Sequence, residues 1–294
     1  MTGILLVDKP EGTSSAGAIR ALKPRLGRTK VGHLGTLDPF ASGLLPLCLG
    51  EATKVARYLL CERKAYTGVI RLGITTDTLD RTGQPTATAA VPALEATVVE
   101  AIAARFVGRQ HQVPPMFSAL KRAGVPLYKL ARQGIEVERA PRDIEIFALS
   151  LAPRPPDRLA FALTCSKGTY VRVLAADVGR TLGTLAHLEE LRRTTVGSFR
   201  VEDAAPLGVL TALPAAAPLP LVPVRRALAE LPAFAASADD VARLRRGQQA
   251  PLARLPPPAG PDAVGLVLDP GGDVAAVVEA DGPRWKLVRL LGAA

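Results

Sequence analysis

The sequence predicts an α+β protein in which strands and helices alternate irregularly, with a small β-rich module over its last seventy or so residues. Three observations predict it. Stretches that alternate apolar and polar residues with period two are interleaved with stretches whose apolar residues recur at helical spacing. Five prolines within 204–224 (AAPLGVLTALPAAAPLPLVPV) separate a long first part from a short last one. Apolar residues make up 48% of the 294 and aromatics only 4%, so a core of Leu, Val, Ile and Ala is available and disorder of the whole chain is excluded.

In chain order, residues 4–7 read as a short buried strand and 14–26 (SSAGAIRALKPRL) as a short helix that Pro24 ends or kinks. The apolar run in MTGILLVDKP meets Asp8 and Lys9 at once, with no basic stretch ahead of it, which reads as a strand rather than a secretory signal. A Gly-rich loop follows, then a helix over 53–60 (TKVARYLL) and a strand over 64–73 (KAYTGVIRLG). The segment ITTDTLDRTGQPTATA, dense in Thr, Asp, Gly and Pro, is expected to be a surface loop. It lacks the Asp-x-Asp-x-Asp-Gly spacing of an acidic calcium loop.

A helix is expected around 95–106, leading into an insertion over 105–142 with eight Lys or Arg against two Glu. That insertion is either a solvated excursion or a clamp for something acidic. Residues 159–165 alternate as a strand, and Val171, Leu174, Ala175, Val178 and Leu182 share one helical face. The Pro-rich stretch 204–224 is a linker or an irregular edge. Beyond it, a helix (SADDVARLRRG) and two β-like runs, VGLVLDP and VAAVVEA, divided by Pro270-Gly271-Gly272, suggest a small barrel-like module. No stretch approaches the ~18 consecutive apolar residues of a membrane span.

The formal charge of +10 belongs almost wholly to the first part: residues 1–224 hold 28 Lys and Arg against 19 Asp and Glu, and 225–294 hold 9 against 8. A polyanion such as RNA would feel that field, and solubility alone is the other reading. Cys48, Cys61 and Cys165 are widely separated and form no Cys-x-x-Cys, so neither a disulfide framework nor a zinc site is indicated, in keeping with a reducing cytoplasm.

The segment richest in chemistry is 30–50, KVGHLGTLDPFASGLLPLCLG, where Asp38 is the only acidic residue between Glu11 and Glu51. Gly32, Gly35 and Gly43 permit tight turns, and Pro39 pushes Asp38 away from helical geometry. A carboxylate on such a loop, flanked by Leu37 and Phe40, can be both rigid and partly desolvated. The six Lys and Arg from Lys9 to Lys30 favour its ionised form if they fold near it. Asp-Pro equally opens an ordinary turn, and the residues by themselves leave both readings open.

GHLGTLDPFASGLL resembles the catalytic-loop signature of the TruB family of tRNA pseudouridine synthases, which implies that Asp38 is the catalytic residue. DKPEGTSS at 8–15 is similar to the family's other N-terminal motif. KAYTGVIRLGITTDTLDRTG resembles the next block, whose Tyr packs on the target base, a role that falls on Tyr66; otherwise it is a sheet-face tyrosine. QVPPMFSALKRAGVPLYKLARQGIEVERAPR resembles an RNA-gripping thumb. KGTYVRVLAADVG resembles the block whose Arg pairs with the catalytic Asp; this assigns Arg172, in place of a solvated residue near a helix start, and puts Tyr170 beside it at the substrate. HLEELRRTTVGSF resembles the block that puts Leu191 in the pocket lining, where periodicity alone makes it core. The matching blocks span about residues 3–200. SADDVARLRRGQ and RWKLVRLL are similar to a small RNA-binding PUA-type module.

The resemblance implies a catalytic domain over 1–224 with a mixed, mainly antiparallel sheet, a thumb at about 105–142 and a linker at about 204–224, followed by a PUA-like module over 225–294. It implies isomerisation of uridine 55 in the T loop of tRNA, breaking C1′–N1 and forming C1′–C5, with no cofactor and no metal. An ionised carboxylate acts either at C1′ or by adding to the base, and both routes stay open. Arg172 would keep Asp38 charged and aimed, the base would leave its stack, and Tyr66 would stack on it.

His33 matches a position that helps displace the base, against a loop-bracing hydrogen bond. Lys9, Lys64 and the thumb cations would hold phosphates. The partner is the T arm of tRNA; DNA, a membrane and a protein partner are not implied, and a cytoplasmic monomer is expected. Two other classes compete. A carboxylate-dependent nucleosidase or glycosidase needs a second carboxylate, and none stands out in the matching blocks. A tRNA-folding chaperone would need the basic surface but no chemistry.

Overall fold

A computed structural model describes residues 1–59, 63–214 and 216–292. The chain opens with β1 (Gly3–Lys9), α1 (Ser15–Leu26), β2 (Val31–His33), β3 (Ser42–Leu49) and α2 (Ala56–Leu59). Residue 60, the end of the expected 53–60 helix, and Cys61 lie outside the described residues. There follow β4 (Arg63–Leu72), β5 (Ile74–Thr76), β6 (Pro85–Thr88), α3 (Ala96–Arg105), β7 (Gly108–Gln112), β8 (Lys121–Arg122), β9 (Val125–Pro126) and α4 (Leu127–Ala131). Next come β10 (Arg142–Arg154), β11 (Arg158–Ser166), α5 (Val171–Thr181), β12 (Ala186–Val196), β13 (Phe199–Arg200), β14 (Ala205–Pro206), α6 (Leu207–Ala212), β15 (Leu221–Val222) and α7 (Val224–Ala227). The last part holds β16 (Ala233–Ala235), α8 (Ala238–Arg245), β17 (Val264–Leu268), β18 (Val274–Asp281) and β19 (Arg284–Leu290).

The main sheet runs β14-β1-β3-β12-β4-β11-β10-β7, with β2, β13 and β15 pairing at its side. It is mixed and mainly antiparallel: β12 meets β3 in parallel, and so does β1 with β14. The helices α3 and α5 cover one face of the β12-β4-β11 region, where Ile70, Leu159, Leu163 and Leu188 pack against Val99, Leu174 and Val178. On the other half, α1 and α6 close over Leu5, Val7, Leu45 and Leu47. Ser14 starts α1 by accepting from the Gly17 amide, and Pro24 sits in its last turn, two residues before the helix ends.

Residues 42–49, read from the sequence as part of the Gly-rich loop, are instead a central strand of this sheet. Nearly every residue in β3 is buried on both faces, so no alternation marks it, and Gly43 and Pro46 look like loop residues. Gly43 has φ +103°, and a Cβ there would lie 2.3 Å from the Arg193 carbonyl oxygen, so the close approach of β3 to β12 requires glycine. The expected surface loop at 74–89 is also partly structured: β5 and β6 form a hairpin, and Asp80 between them is buried.

The excursion between β7 and β10 covers 113–141 and carries the β8-β9 hairpin and α4, while β7 itself belongs to the main sheet. Residues 204–224 form the irregular edge, since β14 and β15 both pair with β1. The C-terminal strands form a four-stranded sheet in the order β16-β17-β18-β19, a path that among the described residues does not close into the expected barrel.

Candidate active site

Asp38 stands on the loop between β2 and β3, and the N-terminal turn fastens that loop from below. Ser15, buried at the start of α1, donates its hydroxyl to the Leu37 carbonyl at 3.0 Å and accepts from the Leu37 amide at 2.8 Å. The Gly12 amide donates to the Pro39 carbonyl at 2.8 Å. Lys9, expected to reach a phosphate, is fully buried instead. Its ammonium donates to the carbonyls of Thr13 at 2.6 Å, Ala41 at 2.5 Å and Pro10 at 2.8 Å, so its donors are consumed in joining the two loops. Burial, reinforced by Arg193, draws its pKa down to about 8.

Arg172, in the first turn of α5, has only 5% of its side chain exposed, and its Nε lies 2.9 Å from Oδ2 of Asp38, whose own side chain is 37% exposed. The same guanidinium donates to the carbonyls of Thr78 at 2.8 Å and Phe117 at 2.7 Å. It thereby joins the Asp38 loop, the β5-β6 hairpin and the base of the 113–141 excursion. Asp80 faces the guanidinium too, with Oδ2 at 3.6 Å from Nη1. Its Oδ1 accepts from the Thr82 amide at 2.9 Å and from the hydroxyls of Thr82 at 2.5 Å and Thr78 at 2.9 Å.

Asp80 corrects the expectation that no second carboxylate stands in the matching blocks. It was missed because a Thr- and Asp-rich segment reads as solvated loop. Buried and occupied by threonine donors, it does not offer the solvent-facing second carboxylate that a glycosidase needs. Asp38 is thus a partly open carboxylate whose charge is balanced by a buried cation.

Around the loop, Tyr66 on β4 and Leu191 on β12 are buried in one apolar cluster with Leu37 and Phe40. Burial pushes the Tyr66 phenol up to about 12, and Arg193 on β12 is its register partner. Lys64, two residues before Tyr66, brings its ammonium to 3.0 Å from where a Cβ on Gly35 would lie, within the site rather than on an outer rim. Nδ1 of His33 accepts from the Gly35 amide at 3.3 Å, the loop-bracing geometry, and burial lowers its pKa. Tyr170 caps α5, and the side-chain amide of buried Gln112 holds its backbone at both N–H, at 2.7 Å, and C=O, at 3.2 Å. Sequence reasoning passed over Gln112 and Arg193, since a strand-end Gln and a strand Arg carry no period that marks them as buried.

Among the described residues no helix is long and apolar enough to cross a membrane, and no group of three or more His, Cys, Asp or Glu gathers as a metal site.

Comparisons with known proteins bear on the family and the fold. The profile for the TruB family pseudouridylate synthase N-terminal domain matches residues 23–171, and that for the tRNA pseudouridylate synthase B C-terminal domain matches 172–216. The chain is 47% identical to the tRNA pseudouridine synthase B of Aromatoleum aromaticum, over 95% of this chain and 89% of that protein. It is 45% identical to that of Xanthomonas campestris pv. campestris strain B100, over 95% and 91%. With that of Psychrobacter cryohalolentis it shares 48% identity over 73% of this chain, spanning 61% of the longer relative. Among solved structures, a Cbf5-Nop10-Gar1 complex matches at TM-score 0.70 and 22% identity, over 98% of this chain and 84% of that one. An H/ACA RNP bound to a substrate RNA containing 2'-deoxyuridine matches at TM-score 0.71 and 21% identity, over 99% and 85%. At such identity the likeness is one of fold.

Proposed function

The chain belongs to the TruB family of pseudouridylate synthases, which are isomerases, and from that premise we propose that it converts uridine 55 in the T loop of tRNA into pseudouridine with Asp38 as the catalytic carboxylate. The observation that carries the reading is the grip of buried Arg172 on a carboxylate that stays open to a substrate. The names of the 45–48% identical relatives supply the substrate class.

In this reading the glycosidic bond from C1′ to N1 breaks, the uracil turns, and C1′ bonds to C5. The hydrogen on C5 leaves to solvent and N1 gains one, so no oxidant, reductant or transferred group is needed. Asp38 acts as the nucleophile or stabilising anion, at C1′ or on the ring. The uridine leaves its stack, because inside one its C1′ and C5 are hidden from any side chain. Tyr66 and Leu191 then line the flipped base, and Lys64 and His33 face the same loop. The 113–141 excursion grips the T arm through its cations, sequence-independently. The C-terminal module adds an RNA-binding surface of PUA type, and the protein works as a monomer.

The test is tritium release from a tRNA transcript carrying 5-³H-uridine, comparing wild type with Asp38→Asn, with carbodiimide treatment and primer extension to locate the product. The expected result is release by the wild type alone with a stop at uridine 55. Tight, salt-sensitive tRNA binding without release would turn the reading to a folding chaperone.

A further inference from the structure

Arg193 is the largest side chain in the structure with no solvent exposure, and what it touches belongs to the site. It lies on β12 opposite Gly43 of β3 on one side and Tyr66 of β4 on the other. Its Nε donates to the Leu44 carbonyl at 2.8 Å, Nη2 to that of Gly35 at 3.1 Å and Nη1 to that of Thr36 at 3.2 Å. Gly35 and Thr36 lead into Asp38, and Leu44 lies on the strand leading away from it.

All of these acceptors are neutral carbonyl oxygens, and among the described residues no carboxylate is paired with this guanidinium. Packing does not account for such a residue, because a hydrocarbon of similar length would fill the space without the cost of desolvating a guanidinium. What only arginine supplies is a rigid planar fork reaching several acceptors in different directions. We infer that Arg193 is a positioning residue for the isomerisation, fixing both limbs of the Asp38 loop from one fork on the strand that pairs with Tyr66, so that carboxylate and base-facing ring keep a single relative placement. The inference rests on the roles proposed above for Asp38 and Tyr66. It differs from the part played by Arg172, which touches the carboxylate itself.

The experiment compares Arg193→Lys, which keeps the charge on one nitrogen, and Arg193→Met, which keeps only the stem. Four quantities are measured beside wild type and Asp38→Asn: single-turnover tritium release, tRNA affinity, thermal melting, and amide hydrogen exchange of residues 33–41. Both variants are expected to fold and to bind tRNA within about threefold of wild type. Release slows about tenfold in Arg193→Lys and about a hundredfold in Arg193→Met, the scale of an ångström-sized misplacement. Exchange rises in 33–41 and not elsewhere.

An unchanged rate per folded molecule, a loss of affinity that matches the loss of rate, or failure of both variants to fold would each overturn the inference. A wild type that releases no tritium would overturn the functional reading and this inference together. An active wild type with unaffected variants overturns the inference alone.

Discussion

Arg172 directs its donors to Asp38, Thr78 and Phe117, and an ammonium cannot reach all three. Arg172→Lys therefore keeps a positive charge near Asp38 but loses its aim, and the single-turnover rate on tRNA should fall by about a hundredfold. Affinity for tRNA should stay within about threefold, because so buried a side chain has little to offer a phosphate. A parallel loss of affinity would make Arg172 an RNA-binding residue instead. Lys9 gives a second test, through pH. Its folded pKa is drawn down to about 8, while in the unfolded chain it titrates at about 10.4. Below pH 8 both states carry the proton, and burial disfavours the folded one in full. Between the two values the unfolded state binds more protons, so Lys9 makes stability rise with pH across that window. Denaturant melts of wild type and Lys9→Met should show their difference shifting in favour of wild type from pH 8 to 10. A difference that does not change with pH would mean that Lys9 titrates normally in the folded protein.

Elements with a clean period were legible: β4 and β11 through alternation, α5 through its single apolar face, and β17 and β18 on either side of Pro270-Gly271-Gly272. The strand that leaves the Asp38 loop was not, because β3 is buried on both sides and a period needs one polar face to appear. Asp80 failed for the opposite reason: its composition says solvent, and only the tertiary contact with Arg172 buries it. The 113–141 excursion was legible as a basic segment but not in its bounds, since β7 continues the same composition into the sheet. Within it, Arg139 reaches Glu136 at 3.2 Å and Arg122 donates to the Glu138 carbonyl, whereas Lys121 and Lys129 are exposed. If the excursion holds phosphates, Lys121→Ala with Lys129→Ala should lower the slope of log affinity against log salt by about 1–2, at roughly 0.7–0.9 per lost contact. Melting should not move, since neither side chain packs. An unchanged slope would make the excursion a solvated loop.

Read as composition, the Pro-rich stretch before residue 225 implies two separable bodies; in the structure the bodies share a core. Ile4, Leu44, Cys48 and Val55 of the main sheet region form one buried cluster with Leu266, Val274, Val277 and Leu291 of the C-terminal module. No sequence period reveals this, because aliphatic residues on both sides of an interface look the same as those inside either part. Polar contacts reinforce the seam: the Tyr58 hydroxyl donates to Glu279 at 2.7 Å, Lys54 donates to the Leu290 carbonyl at 3.0 Å, and the Gly292 amide donates to Glu51 at 2.6 Å. Hydrogen bonds from Lys54 and Gly292 hold the Glu51 carboxyl below its usual range. A chain ending at residue 224 would uncover the apolar face that carries the Asp38 loop's flanking strands. Ile4, Leu44 and Val55 at ~1.5–3 kcal/mol each amount to roughly 4–9 kcal/mol of lost burial, comparable to the ~5–15 kcal/mol that a whole domain has in reserve. The truncated chain should therefore melt at least 10 °C lower or aggregate, by a rough conversion of such a loss, and its turnover should fall with the folded fraction. If it instead melts as the full chain does and loses only tRNA affinity, the module is an appended RNA-binding arm and the shared cluster adds little to the stability of the catalytic part.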